Sequence, residues 1–190
     1  MKKVNKKIDL STNLIMGILN LSPTSFYDGK RYNTIKEVLC QVEKMISEGA
    51  HIIDVGAQSS NPGSKEILVG SEIERLIPAI SAIKEKFPDT MVSIDTYRAE
   101  TAKICVENGA DIINDISGGE LDKKMFDTIS KLSVPYILMH MQGTPKNMQK
   151  NPKYKNIIEE IISYFKERIS ILESLGVNDI ILDPGIGFGK

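Results

Sequence analysis

Along this chain, short apolar runs rich in Ile and Val alternate with longer stretches whose apolar residues recur every three or four positions. The short runs predict strands over Leu14–Asn20, His51–Val55, Met91–Ile94, Asp111–Asn114, Val134–Met139 and Asp179–Leu182. The longer ones predict helices over Thr34–Glu48, Glu72–Lys86, Arg98–Glu107, Asp122–Lys131 and Tyr154–Leu175. Nearly continuous apolar strands suit a parallel sheet covered on both faces. Three helix ends carry the same punctuation: Glu48-Gly49-Ala50, Asn108-Gly109-Ala110 and Leu175-Gly176-Val177. A glycine there closes the helix in a left-handed conformation, and each join leads straight into a strand. Repeated βα units of about 30 residues mean an α/β fold, either a (β/α)8 barrel or an open doubly wound sheet.

The polar residues separate these two. Asn20, Asp54, Asp95, Asn114 with Asp115, His140 and Asp183 all fall at strand C-terminal ends. A barrel gathers its site on that one face, whereas an open sheet concentrates function at a switch point. No G-x-G-x-x-G follows the first strand, which also counts against a dinucleotide fold. The pattern favours an α/β fold of the (β/α)8 TIM barrel type with only about six βα units. A barrel closes when strand eight pairs with strand one, and no sequence for strands seven and eight is found. Residues 1–190 thus read as one domain, a C-terminally incomplete barrel with two exposed edges.

Composition narrows the function classes. The net charge is −1, with 41% hydrophobic and 26% charged residues, so there is no electrostatic footprint for nucleic acid. Cys40 and Cys105 lie far apart in helix-patterned segments and read as buried or half-buried free thiols in a reducing cytosol. The basic N-terminus leads into no long apolar stretch; Leu14 to Leu21 is too short to span a bilayer and Asn20 interrupts it. The expectation is a cytoplasmic protein without a membrane partner.

Asp95, Asn114 and Asp183 end three different strands. Carboxylates accept hydrogen bonds and an amide both accepts and donates, so together they can grip a polar heterocycle bearing N–H groups. Each could instead start a turn or cap a helix, and Asp95 before Thr96 is a fair cap candidate. The loop after the first strand, L-S-P-T-S-F-Y-D-G-K, and the one after the second, A-Q-S-S-N-P-G-S, read equally as mobile site loops or as ordinary connections. His140 has no H-x-H or H-x-x-x-H partner, and His51 lies at the opposite end of the barrel. Neither a zinc site nor a Ser-His-Asp triad can be built from them.

Six segments occur in order: I-M-G-I-L-N-L-S-P-T-S-F-Y-D-G, G-A-H-I-I-D-V-G-A-Q-S-S-N-P-G, S-I-D-T-Y-R, A-D-I-I-N-D-I-S-G-G, L-M-H-M-Q-G-T-P-K-N-M-Q and D-P-G-I-G-F-G-K. From about Leu14 to Lys190 the chain resembles dihydropteroate synthase, the folate-pathway enzyme targeted by sulfonamides. The M-H-M-Q-G-T-P segment argues against a methyltetrahydrofolate-dependent methyltransferase, which shares the barrel. The resemblance implies a transferase joining a dihydropterin pyrophosphate to p-aminobenzoate. It implies that Asp95, Asn114 and Asp183 hold the pterin ring, with Met139 and Phe188 in apolar contact. Asp95 would also act catalytically, stabilising positive charge on the pterin methylene after pyrophosphate departs. Asn20 would help coordinate Mg²⁺ on the leaving group. Phe26, Asp28, Ser60 and Pro62 would shape the p-aminobenzoate pocket, and a homodimer is the common family state.

The chain also departs from the family pattern. Asn61 stands where an Arg usually pairs with the acid matching Asp28, Thr24 where an Asp is common, and Ser60 replaces a frequent Thr. The Ser-Arg-Lys and Arg-x-His segments of the last two βα units are missing. Those departures lead to an expectation of little activity from the 190 residues alone. The alternative they raise is a truncated, non-catalytic pterin-binding or assembly module that needs a complementing chain.

Overall fold

The computed structural model describes residues 8–9, 11–21, 34–58 and 66–190. Strand and helix alternate through them: β1 (Met16–Asn20), α1 (Ile35–Ser47), β2 (Ile52–Gly56), α2 (Val69–Lys86), β3 (Met91–Asp95), α3 (Ala99–Glu107), β4 (Ile112–Asp115), α4 (Met125–Leu132), β5 (Tyr136–Met139), α5 (Ile157–Ser174) and β6 (Ile180–Asp183). All the strands pair in parallel in the order β1-β2-β3-β4-β5-β6. That order decides between the two architectures. A doubly wound sheet reverses direction at its switch point, whereas strands added always on the same side are the barrel arrangement. Six strands and five helices of the (β/α)8 barrel pattern are present, as an open sheet.

Alternation along each strand sends side chains to opposite faces. On one face Ile52, Ile112 and Ile137 pack with Met16, Met91 and Ile181. On the other Ile53, Val55, Val92, Ile94, Ile113, Tyr136 and Leu138 pack with Val42, Leu76, Ile80, Ile83, Cys105, Ile129 and Leu172 from the helices. The first face is the barrel interior, the second the sheet–helix layer. Each fully buried Leu or Ile of that layer contributes about 1.5–3 kcal/mol.

Helix ends follow the local chemistry. Gly49, Gly109 and Gly176 all have positive φ, and the following amides close each helix: Ala50 N donates to Met45 O, Ala110 N to Cys105 O and Val177 N to Leu172 O. Thr34 caps α1 reciprocally with Glu37.

Several boundaries move. Strand β5 starts at Tyr136 rather than Val134, since Pro135 has no N–H to give the ladder. Helix α4 starts at Met125, not Asp122, because Asp122 Oδ1 accepts from Lys124 N and Oδ2 from Ala99 N. Helix α5 starts at Ile157, not Tyr154, with Asn156 as its cap. Helix α2 starts earlier, at Val69, which places Glu72 inside the first turn. Cys105 is buried, its thiol pushed up to about 12 by desolvation, whereas Cys40 is exposed, contrary to the expectation for it.

Candidate active site at the C-terminal ends of the strands

The interior face changes character from bottom to top. Its lowest row is the apolar Met16–Ile52–Met91 register, and its last row is Asn20–Gly56–Asp95–Asn114. Gly56 makes that last row possible. A Cβ there would lie 3.2 Å from Asp95 Oδ2 and 3.4 Å from Asn20 Oδ1, so both polar groups converge over a residue that has no side chain. Three of the predicted site residues, Asn20, Asp95 and Asn114, are thus side by side at one strand end.

Asp95 does not cap the following helix. The N-cap of α3 is Arg98, without a side-chain cap, and the Asp95 carboxylate accepts no hydrogen bond from a described residue. Burial pushes its pKa well above the ordinary carboxylate value, and Asp54, Glu72 and Asp115 add to the effect. Proximity of several acids makes the site readier to hold a proton, or a positively polarised ring, than a free carboxylate would be.

One row lower sits a residue given no role in the sequence reading. Asp54 is 5% exposed, and its Oδ2 accepts from Asn114 Nδ2 at 3.0 Å. Its Oδ1 and the Oγ of Ser93, its register neighbour on β3, are buried without a hydrogen-bond partner among the described residues. Burial raises the Asp54 pKa; Ser93 and Asn114 work against that rise. The Ser93 hydroxyl is near enough to favour ionisation but not in hydrogen-bonding geometry. The alternation I-I-D-V-G placed Asp54 on the interior face in phase with Ile52, and this was the available signal.

Asp183 ends β6 opposite Met139, on the same interior face as Ile181. Here the plainer alternative also holds, since Asp183 Oδ1 accepts from Gly185 N at 2.8 Å and begins the glycine-rich turn. Gly185 has φ +65, and a Cβ there would lie 2.2 Å from His140 O, so only glycine lets this turn close on the end of β5. Met139 and Phe188 meet in one apolar cluster with Ile116, Met141 and Met148. Lys190, also without a role in the sequence reading, braces the same turn: its Nζ donates to His140 O, Gly185 O and Phe188 O at 3.0, 3.1 and 2.9 Å.

His140 points elsewhere. It is 6% exposed, edge-on to Tyr164 at 4.7 Å, and its Nδ1 is buried without a hydrogen-bond partner among the described residues. Burial, then Lys190 and Arg168, pull its pKa down to about 4. It lines an open cleft of about 1370 Å³ between the β5–α5 connection and α5, which none of Asn20, Asp95, Asn114 or Asp183 lines. Phe26, Asp28, Ser60 and Pro62, with Thr24 and Asn61, lie outside the described residues. Among the described residues no group of three or more His, Cys, Asp or Glu side chains is placed to share a metal ion.

The polar row and the cluster that holds Met139 and Phe188 both lie at the C-terminal ends of the strands. Residues 16–190 match the model of a protein family described as pterin binding enzyme. The chain belongs to that family. Among its relatives are the dihydropteroate synthases of Clostridium beijerinckii, 48% identical over 93% of this chain, and Haemophilus influenzae, 38% identical over 98%. The chain spans 63% and 68% of those two proteins, and 26% of the folic acid synthesis protein fol1 of Pneumocystis carinii, 46% identical to it. In structure it resembles the Yersinia pestis dihydropteroate synthase solved with a sulfonamide drug complex. The TM-score is 0.91 at 38% identity, covering 96% of this chain and 66% of that one. The Burkholderia cenocepacia enzyme complexed with 7,8-dihydropteroate gives a TM-score of 0.81 at 32% identity, over 95% of this chain and 61% of that one.

Proposed function

We propose that the protein is a dihydropteroate synthase, condensing 7,8-dihydropterin pyrophosphate with p-aminobenzoate. The observation that carries this reading is the interior row Asn20–Gly56–Asp95–Asn114 above Asp54, in a barrel of the matching family. Asp95, Asn114 and Asp183 accept from and donate to the polar edge of the pterin, and the unpartnered Asp54 Oδ1 offers one further acceptor. Met139 and Phe188 contact the ring face. The carbon–oxygen bond to diphosphate breaks first, and the pterin methylene becomes cationic. The Asp95 carboxylate, sheltered from water and ionised by that charge, stabilises the cation. The p-aminobenzoate nitrogen then forms the new carbon–nitrogen bond and its proton leaves to solvent. An aromatic amine attacking a cation needs no general base.

The amide oxygen of Asn20 fits Mg²⁺ only as one ligand among several, as is usual for a cation held mainly by substrate phosphates and water. When bound there, the ion neutralises charge on the departing diphosphate. The same reading carries p-aminobenzoate contacts by Phe26, Asp28, Ser60 and Pro62, a cytoplasmic location, a homodimeric state and inhibition by sulfonamides. Its partners are small molecules, not nucleic acid or membrane. Among the described residues no helix is long and apolar enough to cross a membrane.

Among the described residues β1 and β6 each pair on one side only, which favours a second reading as a pterin-binding module completed by another chain. An assay of dihydropteroate formation tests both. It would compare the 190-residue polypeptide alone, mixed with the C-terminal third of the Haemophilus influenzae relative, and fused to it. Magnesium-dependent turnover abolished by Asp95→Asn supports the synthase. Pteroate binding without turnover in any form supports the module, and absence of both overturns the two together.

A further inference from the structure

Another buried carboxylate lies behind the site and takes no direct part in that chemistry. Glu72, on α2, is 1% exposed. It accepts from Arg98 Nη1 at 2.6 Å, Thr96 Oγ1 at 2.8 Å and Thr101 Oγ1 at 3.0 Å. All three donors come from one short stretch immediately after Asp95. We propose that Glu72 is a positioning residue for the pterin site: with Arg98 it fixes the β3–α3 turn, and through Thr96 it sets the orientation of the Asp95 carboxylate. This inference rests on the pterin-binding reading above.

The covalent path is short. Thr96 follows Asp95 directly; its N–H donates to Asn114 O at 3.0 Å and its hydroxyl to Glu72. That hydroxyl also accepts from Arg98 N at 3.2 Å. One residue therefore joins Asp95, its site neighbour Asn114 and the buried acid. The turn has little else to define it. Helix α3 has no side-chain cap from its own N-cap residue, and its first amide, Ala99 N, is taken by Asp122 from beyond β4. Arg98 in turn holds the residues leading into α2, donating to Ile67 O at 2.9 Å and Glu66 Oε1 at 3.1 Å. Tyr97 OH donates to the same Glu66 oxygen at 2.9 Å.

Stability alone is a poor explanation for such a pair. Burying two charges costs desolvation that their attraction only about cancels, and apolar residues of similar volume often do as well. What the charged arrangement supplies is direction. Three donors on one carboxylate fix the turn in rotation as well as in distance. The Arg98 guanidinium shows the balance: burial lowers its pKa, but Glu72 and the hydrogen bonds to Glu72 and Glu66 outweigh that and leave it raised.

The test is a double-mutant cycle on pteroate affinity, measured by calorimetry in the full chain, with melting temperature followed in parallel. Glu72→Gln and Thr96→Val should each weaken pteroate binding by about tenfold or more, the scale of a misplaced site group. Thr96→Ser, which keeps the hydroxyl, should restore the affinity. In an Asp95→Asn background the same substitutions should cost nothing further, because they act through Asp95. Equal losses with and without the Asp95 carboxylate would mean general destabilisation and would overturn the proposal. So would unchanged affinity in the otherwise native chain. If Glu72→Gln does not fold, Thr96→Val, which removes a single hydroxyl, carries the cycle. Failure of the unsubstituted chain to bind pteroate sinks the pterin reading itself and this inference with it.

Discussion

At the N-terminal end of the sheet Asp111 is committed to structure: its Oδ2 accepts from Lys84 Nζ and from Val92 N, both at 2.8 Å. Lys84 completes the corner by donating to Thr90 O at 3.0 Å, and His51 Nδ1 accepts from Ile15 N at 3.1 Å nearby. Toward the C-terminal end, among the described residues, Asp95 accepts no hydrogen bond, and Asp54 Oδ1, Ser93 Oγ and His140 Nδ1 are buried without hydrogen-bond partners. Asp95 is left available at that end, although Asp115 and Asp183 beside it are satisfied by Ser117, Gly119, Tyr136 and Gly185. Polar groups held out of water without partners cost free energy in the absence of a ligand, so their placement at one end separates the binding end from the stabilising end.

The largest test of that contrast is Gly56→Val. A side chain there intrudes between Asp95 and Asn20, whose flexible ends can move aside. Pteroate affinity should fall about 100-fold, the loss expected when site groups shift by about 1 Å. The melting temperature should change little. Unchanged affinity would mean the Asn20–Asp95 convergence has no part in binding. Asp111→Ala should do the reverse. It strands the Val92 N–H and leaves Lys84, 22% exposed, without its counter-ion, a loss of about 2–3 kcal/mol by denaturant unfolding. Pteroate affinity should not move.

Much of this was legible in the sequence because it is periodic. Strand alternation and helix-closing glycines recur locally, so the βα order, the barrel preference and the strand-end position of Asn20, Asp95, Asn114 and Asp183 follow from short windows. What stayed hidden depends on distant partners. Glu72 read as the start of a helix; its burial is intelligible only through Arg98 and Thr101, 26 and 29 residues away. Asp54 needed Asn114, 60 residues on. The shifted start of α4 has the same origin, since Asp122 is drawn off to serve α3. That of α5 is local: Asn156 Oδ1 accepts from Ile158 N and Glu159 N in its first turn, and Glu160 Oε1 from Lys155 N and Asn156 N just ahead of it.

A smaller effect tests whether availability carries an energetic cost. The folded-state pKa of Asp95 is raised, chiefly by burial and then by Asp54. A raised carboxyl means that the native chain binds the extra proton. The stability from this group is therefore full below the unfolded value of about 3.9 and is lost as pH rises through the folded pKa. At neutral pH Asp95 should oppose folding, and Asp95→Asn should melt higher, by about 2–4 °C for each kcal/mol relieved. The gain should shrink as the pH is lowered toward 4 and vanish below it. A variant that melts lower than the native chain at pH 7 would show that Asp95 has a stabilising partner after all.

The smallest effect has the opposite sign and comes from His140. Burial, with Lys190 and Arg168, lowers its pKa from 6.5 to about 4, so the native chain resists a proton that the unfolded chain accepts. Its contribution is whole above pH 6.5, is lost as the pH falls toward about 4, and changes no further below that. His140→Phe keeps a ring against Tyr164 and removes both the titration and the unpartnered Nδ1. Melting curves of the variant and the native chain should differ by a constant above pH 6.5, with the variant gaining steadily between pH 6.5 and 4. Parallel curves throughout would mean the imidazole is protonated as readily in the fold as outside it. Because acid relieves Asp95 while it burdens His140, the double variant should show a flatter pH dependence of stability than either single one. The two substitutions lie on β3 and just after β5, without a shared partner, so their effects should add.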